Sequence, residues 1–194
     1  MSWLKVGNAK LSKLILNWSI LAGMEVCNRE CKGCYALNQQ RRWPSVMRRY
    51  LDNYTFSKSH TFGVCINAEL KYQYPDKPYV RIHTSGEFYS QEYVDKWFDV
   101  VRANPEKTFY AYTKRLSDFD FSALGAEPNM ILIDSLHYKA INFGSFDDFS
   151  KVTEKFPDAI LCPDTAGQDV VCGESCTVCM TKEAQEKGIY FIKH

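Results

Sequence analysis

A chain of 194 residues is long enough to bury one sizeable core but short for two, so a single domain over residues 1–194 is expected. With 45% hydrophobic and 14% aromatic residues the composition is that of a globular protein and excludes a disordered one. A formal net charge of +1 gives no drive toward nucleic acid or membrane surfaces, and no apolar run is long enough to span a bilayer. The first residues interleave Lys5, Lys10 and Lys13 with Trp3, Leu4 and Val6, which lacks the unbroken apolar core of a signal peptide. A cytoplasmic location is therefore expected, where reducing conditions keep the eight cysteines as free thiols available to metal.

In chain order, residues 13–21 (KLILNWSIL) read as a buried strand that ends at Ala22-Gly23. The run 27–34 follows directly, with Cys27, Cys31 and Cys34 spaced C-x3-C-x2-C. Residues 35–59 read as helix, interrupted at Trp43-Pro44, where proline suits a new helix start. Arg41, Arg42, Arg48 and Arg49, with Trp43 and Tyr50, read as a solvated helix face in preference to a nucleic-acid patch. Residues 79–88 alternate like a strand, and 91–104 carry Tyr93, Val94, Trp97, Phe98 and Val101 at helical spacing. Residues 108–113 give another strand, a short helical or irregular stretch runs through Leu124-Gly125, and residues 129–136 give a further strand. A helix is expected over 145–156, capped by Ser145, then a strand over 159–162 and a cysteine-rich loop over 164–180. A short helix at 182–187, stopped by Gly188, leads to a last strand at 189–193.

Strands alternating with helices predict an α/β fold with a parallel sheet and crossover helices. About six strands are too few for a closed eight-fold barrel, so the expected form is a partial, open β/α barrel of mostly parallel strands. Function then belongs at the carboxyl ends of the strands, and both cysteine groups should lie on that one face.

Three thiols from one loop suit one face of an iron–sulfur cube better than a zinc site, which usually takes paired ligands from two elements. Cys162 with Cys172, Cys176 and Cys179 supplies four sulfurs, the number that closes zinc or a complete cluster; the last three repeat the first spacing. One cluster drawing on both groups and two separate centres are both open. Between them, Arg81, His83, Ser85 and Glu87 share one strand face by the period of two, and Gly86 would let the backbone come close to a ligand. Tyr110, Tyr112 and Lys114 alternate on the next strand, with Lys114-Arg115 placed to hold an anion. His137 and His194 read as ordinary surface or core residues, and Cys65 as a buried thiol.

The loop 27–34 after a first strand, with Ser85-Gly86-Glu87 after the second, resembles the radical S-adenosylmethionine enzymes over roughly the first 115 residues. That resemblance implies a [4Fe-4S] cluster on Cys27, Cys31 and Cys34. It also implies S-adenosylmethionine bound at Ser85, Gly86 and Glu87, with His83 and the aromatic Tyr35 beside them. Nearly the whole chain is similar to a bacteriophage family known as gene product eighty-eight. The similarity rests on Gly7-Asn8-Ala9-Lys10-Leu11, Cys34-Tyr35-Ala36, the run 81–89, the run 109–114, Cys162-Pro163 and the terminal cysteines. It implies a phage origin, hence a host cytoplasm, and an iron–sulfur cluster.

Three functions are therefore weighed. One is an enzyme that reductively cleaves S-adenosylmethionine, with a host electron donor and a small-molecule substrate. Another is a ferredoxin-like electron-transfer or redox protein. The last is a zinc-stabilised binding module, with zinc at the C-terminal cysteines. No residue stands out as catalytic.

Overall fold

Two apolar layers enclose a single five-stranded sheet in the computed structural model, which describes residues 2–29, 31, 34–135, 140–143, 154 and 157–192. The strands β1 (Lys5–Val6), β2 (Ile15–Trp18), β3 (Tyr79–Ile82), β4 (Thr108–Thr113) and β5 (Met130–Asp134) pair in chain order. Only β1 is antiparallel to its neighbour; β2 to β5 are parallel throughout. Parallel neighbours need crossovers, and helices supply them. Between β2 and β3 lie α1 (Met24–Cys27), α2 (Tyr35–Arg42), α3 (Pro44–Ser57) and α4 (Phe62–Ala68), the last running into a π turn at Glu69–Gln73. The next two crossovers carry α5 (Gln91–Arg102) and α6 (Ser122–Ala126). A second sheet joins β6 (Ala140–Phe143), β8 (Ile189–Ile192) and β7 (Ile160–Leu161) in that order, all parallel, with α7 (Lys182–Lys187) leading into β8.

The alternation of side chains along each strand loads both faces of the larger sheet. Leu16, Trp18, Val80, Ile82, Phe109, Ala111, Met130 and Leu132 face the helices and meet Phe62, Ile66, Tyr93, Val94, Trp97 and Val101. Ile15, Tyr110, Ile131 and Ile133 face the other way. They are covered by Leu11, Met180, Ala184, Ile189 and the cysteines Cys162, Cys172 and Cys179. Local signals fix the helix ends: Ser90 accepts from Tyr93 N at 3.2 Å, Thr181 accepts from Ala184 N at 3.2 Å, and Pro44 opens α3.

The expected α/β class with mostly parallel strands is observed. Among the described residues the strands form sheets of five and three and do not join as one barrel wall. The helix α4 and its π turn went unforeseen, although Phe62, Ile66 and Leu70 recur at the four-residue spacing of a buried helix face. The strands β1 and β6 were likewise not expected. The helix expected over 145–156 lies outside the described residues, apart from Glu154.

After β3 the chain turns back against the exit of β2, where Ile20 N donates to Ser85 O at 3.0 Å. Gly86 makes this possible. Its φ is +88°, and a Cβ there would stand 2.4 Å from Ile20 Cγ1 and 2.8 Å from Leu21 O. The close approach is to the protein's own chain, where a ligand had been expected. Gly86→Ala should therefore destabilise the fold by about 2–4 kcal/mol, from the left-handed backbone and the overpacking together. Chemical denaturation of the variant checks this.

Candidate functional site

The first cysteine group follows β2. Gly23 (φ 137°) opens α1, Asn28 (φ 49°) closes it in the left-handed region, and Cys27 is its last residue. Cys34 N donates to Cys31 O at 3.1 Å, and α2 begins at Tyr35. All three thiols are partly exposed. Burial pushes the Cys27 thiol up, and the charges of Glu87, Cys34 and Cys31 add to that. The end of β4 grips this loop. Lys114 Nζ lies 3.2 Å from Cys31 Sγ, and Arg115 Nη1 donates to Cys27 O at 3.0 Å. Asp118 pairs with Arg115 at 3.0 Å and with Arg29 at 3.4 Å. Lys114-Arg115 had been read as an anion holder; here both residues serve the thiol loop. The part played by Thr113 and Asp118 had no signal in the sequence.

The expected single face of Arg81, His83, Ser85 and Glu87 does not form. β3 ends at Ile82, and His83 adopts φ 63°, which resets the alternation. Arg81 stays on the second face of the sheet, over Tyr110 and Tyr112. His83 turns into the aromatic core on the first face, edge-on to Phe88, with Nε2 3.0 Å from Tyr93 Oη. Tyr93 Oη in turn accepts from Trp18 Nε1 at 2.7 Å. Glu87 is buried, and its carboxylate joins two strand ends. Oε1 accepts from Thr113 Oγ1 at 2.7 Å and Phe88 N at 3.0 Å; Oε2 accepts from Lys114 N at 2.8 Å. Ser85 Oγ is buried without a hydrogen-bond partner. Tyr35 lies with its ring exposed, and its hydroxyl donates to Thr84 O.

The second group lies across the other face. Cys162 is buried just after β7, with its N–H donated to Tyr190 O at 2.8 Å. Cys172 bridges to both Leu11 and Cys176, and Ser12 N donates to Cys172 O at 3.0 Å. Gly173 (φ 89°) presses on Ile15, where a Cβ would stand 2.6 Å from Cδ1. Cys172 therefore sits beside the amino end of β2, and the two groups do not share the carboxyl rim as expected. Cys179, in the 3-10 turn Val178–Met180, packs with Tyr112 and has its thiol pushed up to about 12, chiefly by burial. The charges felt by Cys172 are those of Cys162, Cys176, Asp164 and Arg81.

All eight cysteines are free thiols. Among the described residues no three cysteine, histidine or acidic side chains already converge tightly enough to hold an ion. The donor chemistry nevertheless suits metal: three sulfurs in one loop, three in another with Cys162 after β7, a cation on Cys31 and an unsatisfied hydroxyl at Ser85. Cys65 lies on α4 and is partly exposed, in place of the buried thiol expected. His137 and His194 lie outside the described residues.

Burial pulls the imidazole of His83 down to about 3 from its ordinary 6.5. Unfolding at low pH must then protonate it, so the stability tied to the neutral ring is whole above pH 6.5 and is lost as pH falls toward 3. Between pH 7 and pH 5 this loss should reach about 2 kcal/mol. His83→Gln should remove that part of the pH slope, which denaturation curves of both proteins at the two pH values would read.

No helix among the described residues is long and apolar enough to cross a membrane. No solved structure matches the chain. A "Gene 88 protein" of Mycobacterium phage L5 is 33% identical over 96 residues, which cover 43% of this chain and 40% of that protein. A "Gene 88 protein" of Mycobacterium phage D29 is 29% identical over 115 residues, covering 51% of this chain and 48% of that protein. The chain thus spans less than half the length of either relative it matches. The family model described as gene product 88 matches residues 3–189, and the chain belongs to the gene product 88 family.

Proposed function

We propose that this is an iron–sulfur protein in which Cys27, Cys31 and Cys34 hold one face of a [4Fe-4S] cluster. Cys162, Cys172, Cys176 and Cys179 would hold a second, fully thiolate-ligated metal centre. The observation that carries the reading is the clasp around the first loop, where Lys114 Nζ stands 3.2 Å from Cys31 Sγ and Arg115 holds the Cys27 carbonyl. A cation placed at a thiol in this way would balance the charge of a thiolate-ligated metal. When bound, such a cluster supplies one-electron chemistry, and with only three thiolates it leaves one iron for another ligand. The chain's own share is to fix the loop, to balance charge through Lys114 and to offer Ser85 Oγ as a free buried hydroxyl.

Two readings of that open position follow. In the first, S-adenosylmethionine is the ligand and the protein is a radical enzyme, with Ser85, Gly86, Glu87, Tyr35 and His83 around the cofactor. In the second, the protein carries electrons. The bonding of Glu87 favours the second, since three donors already claim the carboxylate that would receive the cofactor's amino group. Gly86 and His83 are likewise committed to the fold. The geometry therefore best supports an electron-transfer or redox role. Zinc at the C-terminal cysteines is compatible with either.

Anaerobically purified protein should contain iron and acid-labile sulfide in about equal amounts, about four irons for each cluster. Stoichiometric zinc without sulfide would overturn the proposal. Adding S-adenosylmethionine to the reduced protein should leave its electron paramagnetic resonance spectrum unchanged; a shifted spectrum that Ser85→Ala weakens would restore the enzyme reading. Cys176→Ser should give insoluble protein or loss of one metal centre, because the proposed centre ties the 164–180 loop together through its thiolates. Soluble Cys176→Ser protein with full metal content and unchanged melting would count against the second centre.

A further inference from the structure

Arg81 leaves β3 on the face opposite the helices, and that face carries the second cysteine group. Its guanidinium lies 6.0 Å from the centroid of Tyr110 and 5.4 Å from that of Tyr112. Those rings belong to the apolar cluster that includes Cys162, Cys172 and Cys179. Arg81 Nε is buried with no hydrogen-bond partner, and among the described residues no carboxylate forms an ion pair with Arg81. An arginine cannot shed its proton in a protein, so although Arg81 as a whole is only half-buried, its Nε is a permanently charged donor held out of water without a partner. Phenol rings attract it weakly through their faces but bring no net charge. A charged donor buried without a partner is costly, and an anion placed beside it would offset that cost.

We infer that Arg81 is the counter-ion of an anionic metal–thiolate centre on Cys162, Cys172, Cys176 and Cys179. The inference rests on the reading of those four thiols as a metal site. It adds the sign of the site's charge and the residue that balances it. Four thiolates outweigh the charge of a divalent ion or of a cubane core, so the centre as a whole is a net anion. The position lies in the middle strand of a parallel sheet on the face covered by the cysteine segment, where an apolar residue would be the ordinary choice. Arg81 therefore acts through the thiolates as a positioning and charge-balancing residue and touches no substrate.

A counter-ion and a mere packing residue respond oppositely when the metal is removed. Full-length wild type, Arg81→Met and Arg81→Lys would be prepared anaerobically. Metal content, the rate of metal loss to a chelator and the melting temperature with and without metal would then be compared. Arg81→Met should lose metal at least tenfold faster than wild type and melt lower in the metallated form. After metal removal the same variant should melt higher than wild type, because a charged Nε buried without a partner has gone. Arg81→Lys should restore retention to within about threefold, since it keeps the charge. If Arg81→Met keeps its metal as long as wild type, or melts lower in both forms, the inference is overturned while the metal site stands. Wild type that holds no metal on the second group would overturn the metal site and the inference together.

Discussion

The buried carboxylate of Glu87 is the tie on which the candidate site depends. It sits just past the end of β3 and takes three hydrogen bonds, from Phe88 N, Thr113 Oγ1 and Lys114 N. Those bonds fix the exit of β4 relative to the exit of β3. The residues so fixed, Lys114 and Arg115, are the ones that reach the first cysteine loop. Burial pushes this carboxyl up, while the three donors pull it back toward the ionised form. A carboxylate held this way trades its use as a ligand contact for control of geometry. Charge-assisted bonds of this kind are each worth about 1.5–3 kcal/mol, enough to hold two loop exits in register.

The sheet extends that control to the second group. Because β2 to β5 are parallel, both faces must be covered. Helices cover the first face, and the cysteine segment, α7 and β8 cover the second. The two thiol groups are thereby separated. One hangs from the end of β2 under the cations of β4, and the other spreads beneath the sheet toward the start of β2, where Leu11 and Ser12 meet Cys172. In the proposed reading each group would hold a centre of its own.

Much of the fold was legible because its signals are local. Thr108–Thr113 and Lys182–Lys187 were expected with their observed bounds, and the break at Trp43-Pro44 was read correctly because proline opens α3. Strand ends were read too long, as at Ile82, because the left-handed turn at His83 belongs to a histidine and carries no glycine to announce it. That single dihedral also explains why four polar residues spaced by two do not share a face. The candidate thiols could be named from spacing alone. Their surroundings could not: the contacts of Lys114 with Cys31 and of Arg115 with Cys27 span 83 and 88 residues of sequence, and nothing in a local pattern encodes them.

The most direct test of the proposed iron–sulfur reading is X-ray absorption at the iron edge on the full chain, isolated without oxygen. The account predicts a shell of sulfur neighbours together with a short iron–iron vector, the pair of features that a cluster has and a lone ion lacks. Iron surrounded by oxygen and nitrogen, or sulfur-bound iron with no iron neighbour, would contradict it.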